Sequence, residues 1–277
     1  MRLDHVHAFS SKGTRNNIVW HEENHWVGYT YCNTVIIEYL NDEKEQRFLS
    51  EGNDIIRSLL LSPNRRMLLA YTATGPVDGL PCVFVWDSST LQLLSRLAVR
   101  NERVTCVDFS PNSNLLLVCG FDGAEDHSTI SIWDFLDGNH DMLCKSLLPA
   151  FVVAGKWNVH LRNLEFATAC DRGYHFWRLN ENLVLEFQEG TLPVKIAEGE
   201  RIICIEYTYP LKGFYTVLML LGISNGSVCL VDTRTNSPLC HVKVSGVPIR
   251  DIVCTKTHTL VVKEDEHLSL WPFPTPE

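Results

Sequence analysis

Two segments of the chain carry the same pattern, an apolar strand that ends in Trp-Asp. The first is Cys82–Asp87 and the second is Thr129–Asp134, and their tryptophans lie 47 residues apart. A second marker, Ser-Pro-Asn, occurs at 62–64 and again at 110–112, a spacing of 48 residues, each time just after an apolar strand. Because two unrelated markers recur at nearly the same interval, the repeated unit is a group of strands and not a single motif.

The interval itself points to a fold. A repeat of this length with Trp-Asp at the end of a strand is typical of a four-stranded β-propeller blade. Most strands are apolar on both faces, which fits sheets packed face to face around a ring. No segment of helical period stands out. The sequence therefore predicts an all-β propeller of about six four-stranded blades; a seven-bladed ring and an incomplete propeller that closes against a missing part or a partner stay open.

The two ends of the chain complement each other. His5–Phe9 alternates like a short strand but precedes the first unit, whereas the last unit, which starts at Ile249, lacks a fourth strand. An open ring would leave exposed strand edges, so we expect the N-terminal strand to complete the last sheet. On this interpretation residues 1–277 form one propeller. Whether it is a whole protein, a fragment or half of a tandem pair stays open.

Charge and composition disfavour several partners. The net charge is −9, and no run of basic residues exceeds pairs such as Arg65-Arg66, so we expect neither nucleic acid nor an anionic membrane as a partner. None of the ten cysteines forms a Cys-x-x-Cys pair, and most stand inside apolar strands, which indicates free thiols in a reducing compartment. The longest apolar run, 214–223, is about half of what a bilayer needs. A cytoplasmic protein without a membrane anchor is the expectation.

Two short motifs resemble catalytic sites, and a structural role is favoured for both. Gly222–Gly226 matches the Gly-x-Ser-x-Gly of hydrolases around Ser224, but that motif requires a helix next and the sequence continues as a strand. Asp126-His127 could be a base and its orienting partner, although a turn-stabilising role is favoured. No phosphate-binding Gly-rich loop with Lys is present. The sequence predicts no catalytic residue, no cofactor and no enzyme, and a serine-hydrolase-like activity is the least favoured alternative.

Histidines near the N-terminus suggest a metal site only weakly. His5 and His7 would share one face of a strand and could be joined by His21 or His25. Without a cysteine or carboxylate at a suitable spacing, structural or surface roles are favoured, so we predict no metal site.

Tryptophans and aspartates at matching repeat positions are expected to hold the blades together. At such positions tryptophans pack between blades and aspartates bond nearby turns. These repeat markers are Trp86, Asp87, Trp133, Asp134, Trp177, Asp232 and Trp271.

Binding residues are expected on loops, because strands carry the packing. One face of the ring should collect the residues that precede each first strand, together with the loops 74–81 and 121–128. We name this face the rim. Its candidate protein-binding residues are Asp54, Glu102, Arg103, Asp122, Asp126, His127 and Arg201.

The same residues resemble a known family. Trp-Asp strands after Ser-Pro-Asn turns are similar to WD40-repeat proteins. Residues 5–134 more particularly resemble the first propeller of echinoderm microtubule-associated-protein-like proteins and the related WD-repeat proteins of cilia and flagella. The segments that carry this likeness are His5–Phe9, Arg15–Ile18, Val35–Arg47, Asn53–Ile56, Val83–Leu91 and Val104–Asn112. Members of that family typically have two propellers in tandem, for which this chain has no room.

The resemblance implies a non-catalytic interaction scaffold, a component or adaptor of microtubule-based structures such as the ciliary axoneme. It implies protein partners and a cytoskeletal location that includes cilia or flagella. Direct contact with tubulin does not follow, because tubulin is acidic and so is this chain. A general WD40 adaptor in a ubiquitin ligase or in vesicle trafficking is the alternative.

Overall fold

The computed structural model describes residues 16–41, 45–52, 54–75, 79–135, 140–160, 164–171, 173–190, 192, 199–210, 217–256, 258–265 and 267–272. All regular secondary structure within these ranges is β-strand. None of their elements is a helix that could cross a membrane.

Six antiparallel sheets follow one another along the chain, and each is called a blade. Blade 1 contains β1 (Ile18–His21), β2 (Trp26–Tyr31), β3 (Thr34–Tyr39) and β4 (Gln46–Leu49). Blade 2 contains β5 (Ile56–Leu61), β6 (Met67–Thr72), β7 (Cys82–Asp87) and β8 (Leu93–Ala98). Blade 3 contains β9 (Arg103–Phe109), β10 (Leu115–Asp122), β11 (His127–Asp134) and β12 (Met142–Leu148). Blade 4 contains β13 (Val152–Trp157), β14 (Glu165–Cys170), β15 (Tyr174–Leu179) and β16 (Leu185–Gly190). Blade 5 contains β17 (Ile202–Tyr207), β18 (Leu218–Ile223), β19 (Ser227–Asp232) and β20 (Ser237–Lys243). Blade 6 contains β21 (Ile249–Cys254), β22 (His258–Lys263) and β23 (Leu268–Pro272).

The order of strands in every sheet is the order of the chain, so each blade is a meander. Five blades have four strands and blade 6 has three, which leaves one edge of β23 unpaired among the described residues. The predicted all-β propeller of six blades is confirmed. The predicted closing strand, His5–Phe9, lies outside the described residues.

Strand β7 shows why apolar residues occupy both faces of these sheets. Its alternate residues Phe84 and Trp86 pack in a cluster with blade 1, whereas Val83 and Val85 pack in a cluster with blade 3. One strand therefore contributes to two cores. Each successive pair of blades shares such a buried cluster, five in total among the described residues.

The Ser-Pro-Asn turns end the first strands of blades 2 and 3. The Ser62 hydroxyl donates to Asn64 Oδ1 at 2.7 Å and accepts the Met67 N–H at 3.0 Å. Asn64 Oδ1 also accepts the Arg66 N–H, so the asparagine serves as an acceptor. The positive φ of the turn, 59°, consequently falls on Arg65. Blade 3 repeats the arrangement, with the positive φ on Ser113, directly after its asparagine.

The predicted loop 121–128 is shorter in the structure. Strand β10 continues to Asp122 and β11 begins at His127, with Asp122 and His127 as register partners. The sequence predicted a loop here because the segment is acidic. In the structure only the turn between the two strands is exposed to solvent and needs polar residues. Ser128, predicted within this exposed loop, is instead fully buried, and its hydroxyl accepts the Val152 N–H at 3.0 Å. The other predicted loop, 74–81, lies partly outside the described residues.

Candidate functional site

The first strands of the blades surround a central cavity of about 450 Å³. Residues from β1, β5, β9, β13, β17 and β21 all line it. Most of them are apolar or small, so the charged side chains among them define its chemistry.

Three of these charged residues occupy one repeated position. Each is the second-to-last residue of the first strand of its blade and is followed by a buried aromatic residue. Alternation along a strand turns the aromatic ring into an interblade core and leaves the charged residue on the cavity side. The pairs are Asp108-Phe109, Lys156-Trp157 and Glu206-Tyr207, in blades 3, 4 and 5. We call Asp108, Lys156 and Glu206 the channel triad.

Lys156 joins the two carboxylates. Its Nζ lies 3.1 Å from Glu206 Oε2. Asp108 Oδ2 accepts the Trp157 N–H at 2.8 Å, which ties blade 3 to blade 4. The triad therefore connects three successive blades at the wall of the cavity.

The surroundings raise the pKa values of Asp108 and Lys156 for different reasons. Burial raises the pKa of Asp108 to about 6, although Lys156 opposes this rise. Burial alone would lower the pKa of Lys156, but the nearby Glu206 and Asp108 carboxylates outweigh it and raise that pKa well above its ordinary value. Lys156 is thus charged at physiological pH. The triad holds one cation between two carboxylates.

An aromatic pair and two thiols also line the cavity or its wall. The rings of His160 and Tyr209 are 4.4 Å apart at 46°. Cys106 and Cys119 are register partners on neighbouring strands, and hydrogen bonding to Cys106 together with burial raises the pKa of Cys119 well above its ordinary value. A protonated thiol is a poor nucleophile, so this pair gives no support to thiol chemistry.

Four of the predicted rim residues meet at one end of blade 3. The Gly123 N–H donates to Glu102 Oε2 at 3.0 Å, and Arg103 Nη2 lies 3.5 Å from Glu102 Oε1. Asp122 and His127 pair across β10 and β11 at the same turn. The Arg103 guanidinium also lies over the Phe121 ring, 5.9 Å from its centroid. The rim at blade 3 is therefore an ordered cluster of mixed charge.

The remaining rim residues are placed differently. Asp126 lies in the same turn with a φ of 51°. His127 pairs with Glu125, at 3.3 Å, so the suggested Asp126-His127 arrangement of base and orienting partner is not the one observed. Asp54 belongs to the loop before β5, and Arg201 directly precedes β17. These two extend the rim to blades 2 and 5.

The rim and the channel triad lie at opposite ends of the first strands, as β9 shows. Arg103 begins β9, whereas Asp108 is next to its last residue. Five residues of strand span roughly 17 Å. Sequence reasoning placed all binding residues on the rim and missed the triad. The signal was a single charge before an aromatic residue in three apolar strands, at spacings of 48 and 50 residues.

The other candidate residues from the sequence, Ser224 and the histidines, make structural contacts. The Ser224 hydroxyl accepts the Arg201 N–H at 2.9 Å, and strand β19 follows instead of a helix. His21 is buried and contacts Arg65 O and the Ser88 hydroxyl. Within the described residues no three His, Cys, Asp or Glu side chains could hold a metal ion together. All ten cysteines are free.

The repeat markers take several environments. Trp86 and Trp177 are buried in interblade clusters, and Trp133 packs beside one. Trp271 is exposed. Asp87 Oδ1 accepts hydrogen bonds from Ser89 and Thr90, which lower the Asp87 pKa although burial opposes them. Asp232 Oδ1 accepts the Arg234 N–H at 2.9 Å, and Asp134 ends β11.

Comparison with known families decides the identity of the repeat. Residues 92–134 match the family described as WD domain, G-beta repeat. The chain is a β-propeller that contains a WD40 repeat. The matched segment runs from just before β8 through β11, so it spans the last strand of one blade and the first three of the next.

Curated relatives of this propeller are longer proteins. Echinoderm microtubule-associated protein-like 1 of Rattus norvegicus is 26% identical over 75% of this chain and 25% of its own length. WD repeat-containing protein 90 of Homo sapiens is 24% identical over 84% of the chain and 13% of its own length. Cilia- and flagella-associated protein 52 of Chlamydomonas reinhardtii is 26% identical over 45% of the chain and 20% of its own length. The chain thus spans a quarter or less of these proteins.

Solved structures agree on the fold. The computationally designed Ika8 protein has a TM-score of 0.67 at 15% identity, covering 93% of this chain and 70% of its own. The β-propeller domain of Myceliophteria thermophila Cps50 (Swd1) has a TM-score of 0.63 at 19% identity, covering 82% of this chain and 67% of its own. At these identities the likeness concerns the fold alone.

Proposed function

We propose that this WD40 propeller is a non-catalytic interaction module that serves as a component or adaptor of microtubule-based structures such as the ciliary axoneme. The observation that carries the proposal is the similarity, over three quarters of the chain, to proteins named for their association with microtubules. The similarity to a protein named for cilia and flagella supports the same setting.

The geometry supports binding by a rigid surface. Interblade clusters fix the strands, so loops and strand ends at the two faces of the ring are the surfaces left for recognition. At the rim, Glu102 and Arg103 are held in place by Gly123 and Phe121 and still expose their charges. Such an ordered set of mixed charge suits a partner protein that carries charges of both signs.

The overall charge favours an adaptor over a direct tubulin ligand. The chain has a net charge of −9, and a tubulin surface is also acidic, so like charges oppose contact. Docking through another protein of the microtubule assembly avoids this repulsion.

Proximity labelling in ciliated cells tests the proposal. A biotin ligase fused to the chain is expected to label axonemal proteins and tubulin. The variant Arg103→Glu should lose these neighbours, whereas Lys145→Glu, an exposed charge reversal on β12 of the same blade, should keep them. Labelling of ubiquitin-ligase or vesicle-coat subunits without ciliary or tubulin neighbours would overturn the proposal.

A further inference from the structure

Blade 1 turns one apolar face away from the other described blades. Val19, His21 and Trp26 lie on the face that packs on blade 2. Strand alternation places Ile18, Trp20, Val27 and Tyr29 on the opposite face, where Ile18 pairs with Tyr29 and Trp20 with Val27. We call these four residues the blade 1 wall.

Blade 6 has a matching face at the other end of the series. Ile252 and Val261 pack on blade 5. The opposite face carries one aliphatic row, Val253, Leu260 and Leu270, and beside it Val262 and Leu268, whose partner on β21 is Asp251. We call these residues the blade 6 wall: Val253, Leu260, Val262, Leu268 and Leu270.

Both walls are exposed where the equivalent faces of other blades are buried. Ile18 is 52% exposed and Trp20 62%, while Leu268 is 61% and Leu270 62% exposed. At the five interblade clusters, by contrast, the apolar residues of the facing strands are buried or partly buried against each other. The two walls therefore do not pack against each other. Because Ile18 and Val253 line the same central cavity, both walls border one seam beside it.

We infer that the seam between blades 6 and 1 is the docking site for an antiparallel β-sheet with two apolar faces, supplied by a partner polypeptide as an additional blade. The seam continues the series of five blade-to-blade contacts that this chain already makes. A sheet with two apolar faces can repeat this apolar packing against blade 6 and against blade 1 at the same time.

The size of the walls supports a specific contact. A fully exposed large apolar side chain presents roughly 150–250 Å², so the exposed parts of Ile18, Trp20, Val253, Leu268 and Leu270 together offer on the order of 500 Å². With an equal area from the occupant, about 1,000 Å² would be buried, the lower bound for a specific interface.

The outer part of the seam is polar. On the blade 1 face, the Tyr29 hydroxyl donates to Glu38 Oε2 at 3.1 Å, and Gln46 Nε2 donates to the same oxygen at 2.7 Å. An apolar centre near the axis with a polar margin outside is the usual anatomy of a binding interface.

The seam can be tested with a sheet whose faces are known. Blade 3 has Leu116 and Val118 on one face and Leu117 and Ile130 on the other, all fully buried. A second copy of residues 102–150, joined after Glu277 by a flexible linker of about 15 residues, can reach the seam at about 3.3 Å per residue. This copy is the probe.

Trp20 reports on occupation of the seam. Trp26, Trp86, Trp157 and Trp177 are buried and Trp133 is partly buried, so in the double variant Trp133→Phe/Trp271→Phe acrylamide quenching is dominated by Trp20. The copy is expected to lower the quenching constant at least twofold. Adding Leu268→Glu and Leu270→Glu to the fused chain should restore it, while Leu94→Glu, at an exposed position on β8, should not. Circular dichroism checks that each variant keeps its β-structure.

Three results would overturn the inference. In the first, Trp20 of the unfused chain is already protected from acrylamide. In the second, the fused copy leaves the quenching constant unchanged. In the third, the unfused chain is a dimer in sedimentation equilibrium that Leu268→Glu converts to a monomer, which would make a second copy the occupant.

Discussion

Lys156 Nζ lies 3.1 Å from Glu206 Oε2, and the two side chains come from the first strands of neighbouring blades. Asp108, from the blade before, completes the triad through the Trp157 N–H and through its charge. Charged side chains at the wall of the cavity thus link blades 3, 4 and 5, in addition to the apolar clusters between these blades.

Removal of the cation should destabilise the propeller. Lys156→Met leaves Asp108 and Glu206 beside the cavity without their shared partner. Loss of one member of a buried pair costs about 3–5 kcal/mol. Because the Lys156 and Glu206 side chains are 30% and 16% exposed, we expect about 1–3 kcal/mol from urea unfolding. Lys145→Met, an exposed lysine of β12, is the control and should have little effect. Equal stability of Lys156→Met and the wild type would contradict the role given to the triad.

The Asp108 carboxyl should make stability fall as the pH rises from about 4 to 6. Its pKa is raised from 3.8 to about 6 in the folded protein, so within this window the folded state holds a proton that the unfolded chain has released. The free energy of unfolding then decreases with rising pH. The decrease ends above the folded pKa.

Asp108→Asn should remove this pH dependence. One pKa unit corresponds to about 1.4 kcal/mol, and solvent in the cavity screens part of the shift, so the variant should gain about 1–2 kcal/mol over the wild type between pH 4 and pH 7. Paired urea titrations across this range measure the difference. A wild type that gains on the variant as the pH rises would show that the shift has the opposite sign.

The unpaired edge of β23 leads to a prediction about the N-terminus. Blade 6 has three strands among the described residues, and the sequence predicts His5–Phe9 as its fourth. Deletion of residues 1–15 should lower the melting temperature, because an exposed strand edge loses its partner. Deletion of residues 273–277, which carry no predicted strand, is the matched control. If both deletions leave the melting temperature unchanged, the prediction is wrong.

The fold was largely accessible from the sequence because its signals are local and repeated. The Trp-Asp strands of β7 and β11 and the turns after Ser62 and Ser110 recur at nearly one interval, and such recurrence constrains a ring of similar sheets. Residues buried on both faces, as in β7, likewise predicted packing on two sides.

Other features depend on long-range assembly that no local pattern records. Leu268 and Leu270 look like core residues in sequence, yet they are exposed because no described element packs on that side of their blade. Asp108, Lys156 and Glu206 look like isolated charges until the ring brings their strands together. The sequence predicted the rim at blade 3 from Glu102 and Arg103, but their contacts with Gly123 and Phe121 required the strand register.

Co-sedimentation with microtubules tests the proposed function most directly. The purified chain, with its net charge of −9, should stay in the supernatant with purified microtubules at every salt concentration. It should pellet with them only when axonemal proteins are added, and Arg103→Glu should weaken this pelleting while Lys145→Glu should not. Tight pelleting of the chain alone on bare microtubules, unaffected by salt, would contradict the adaptor function.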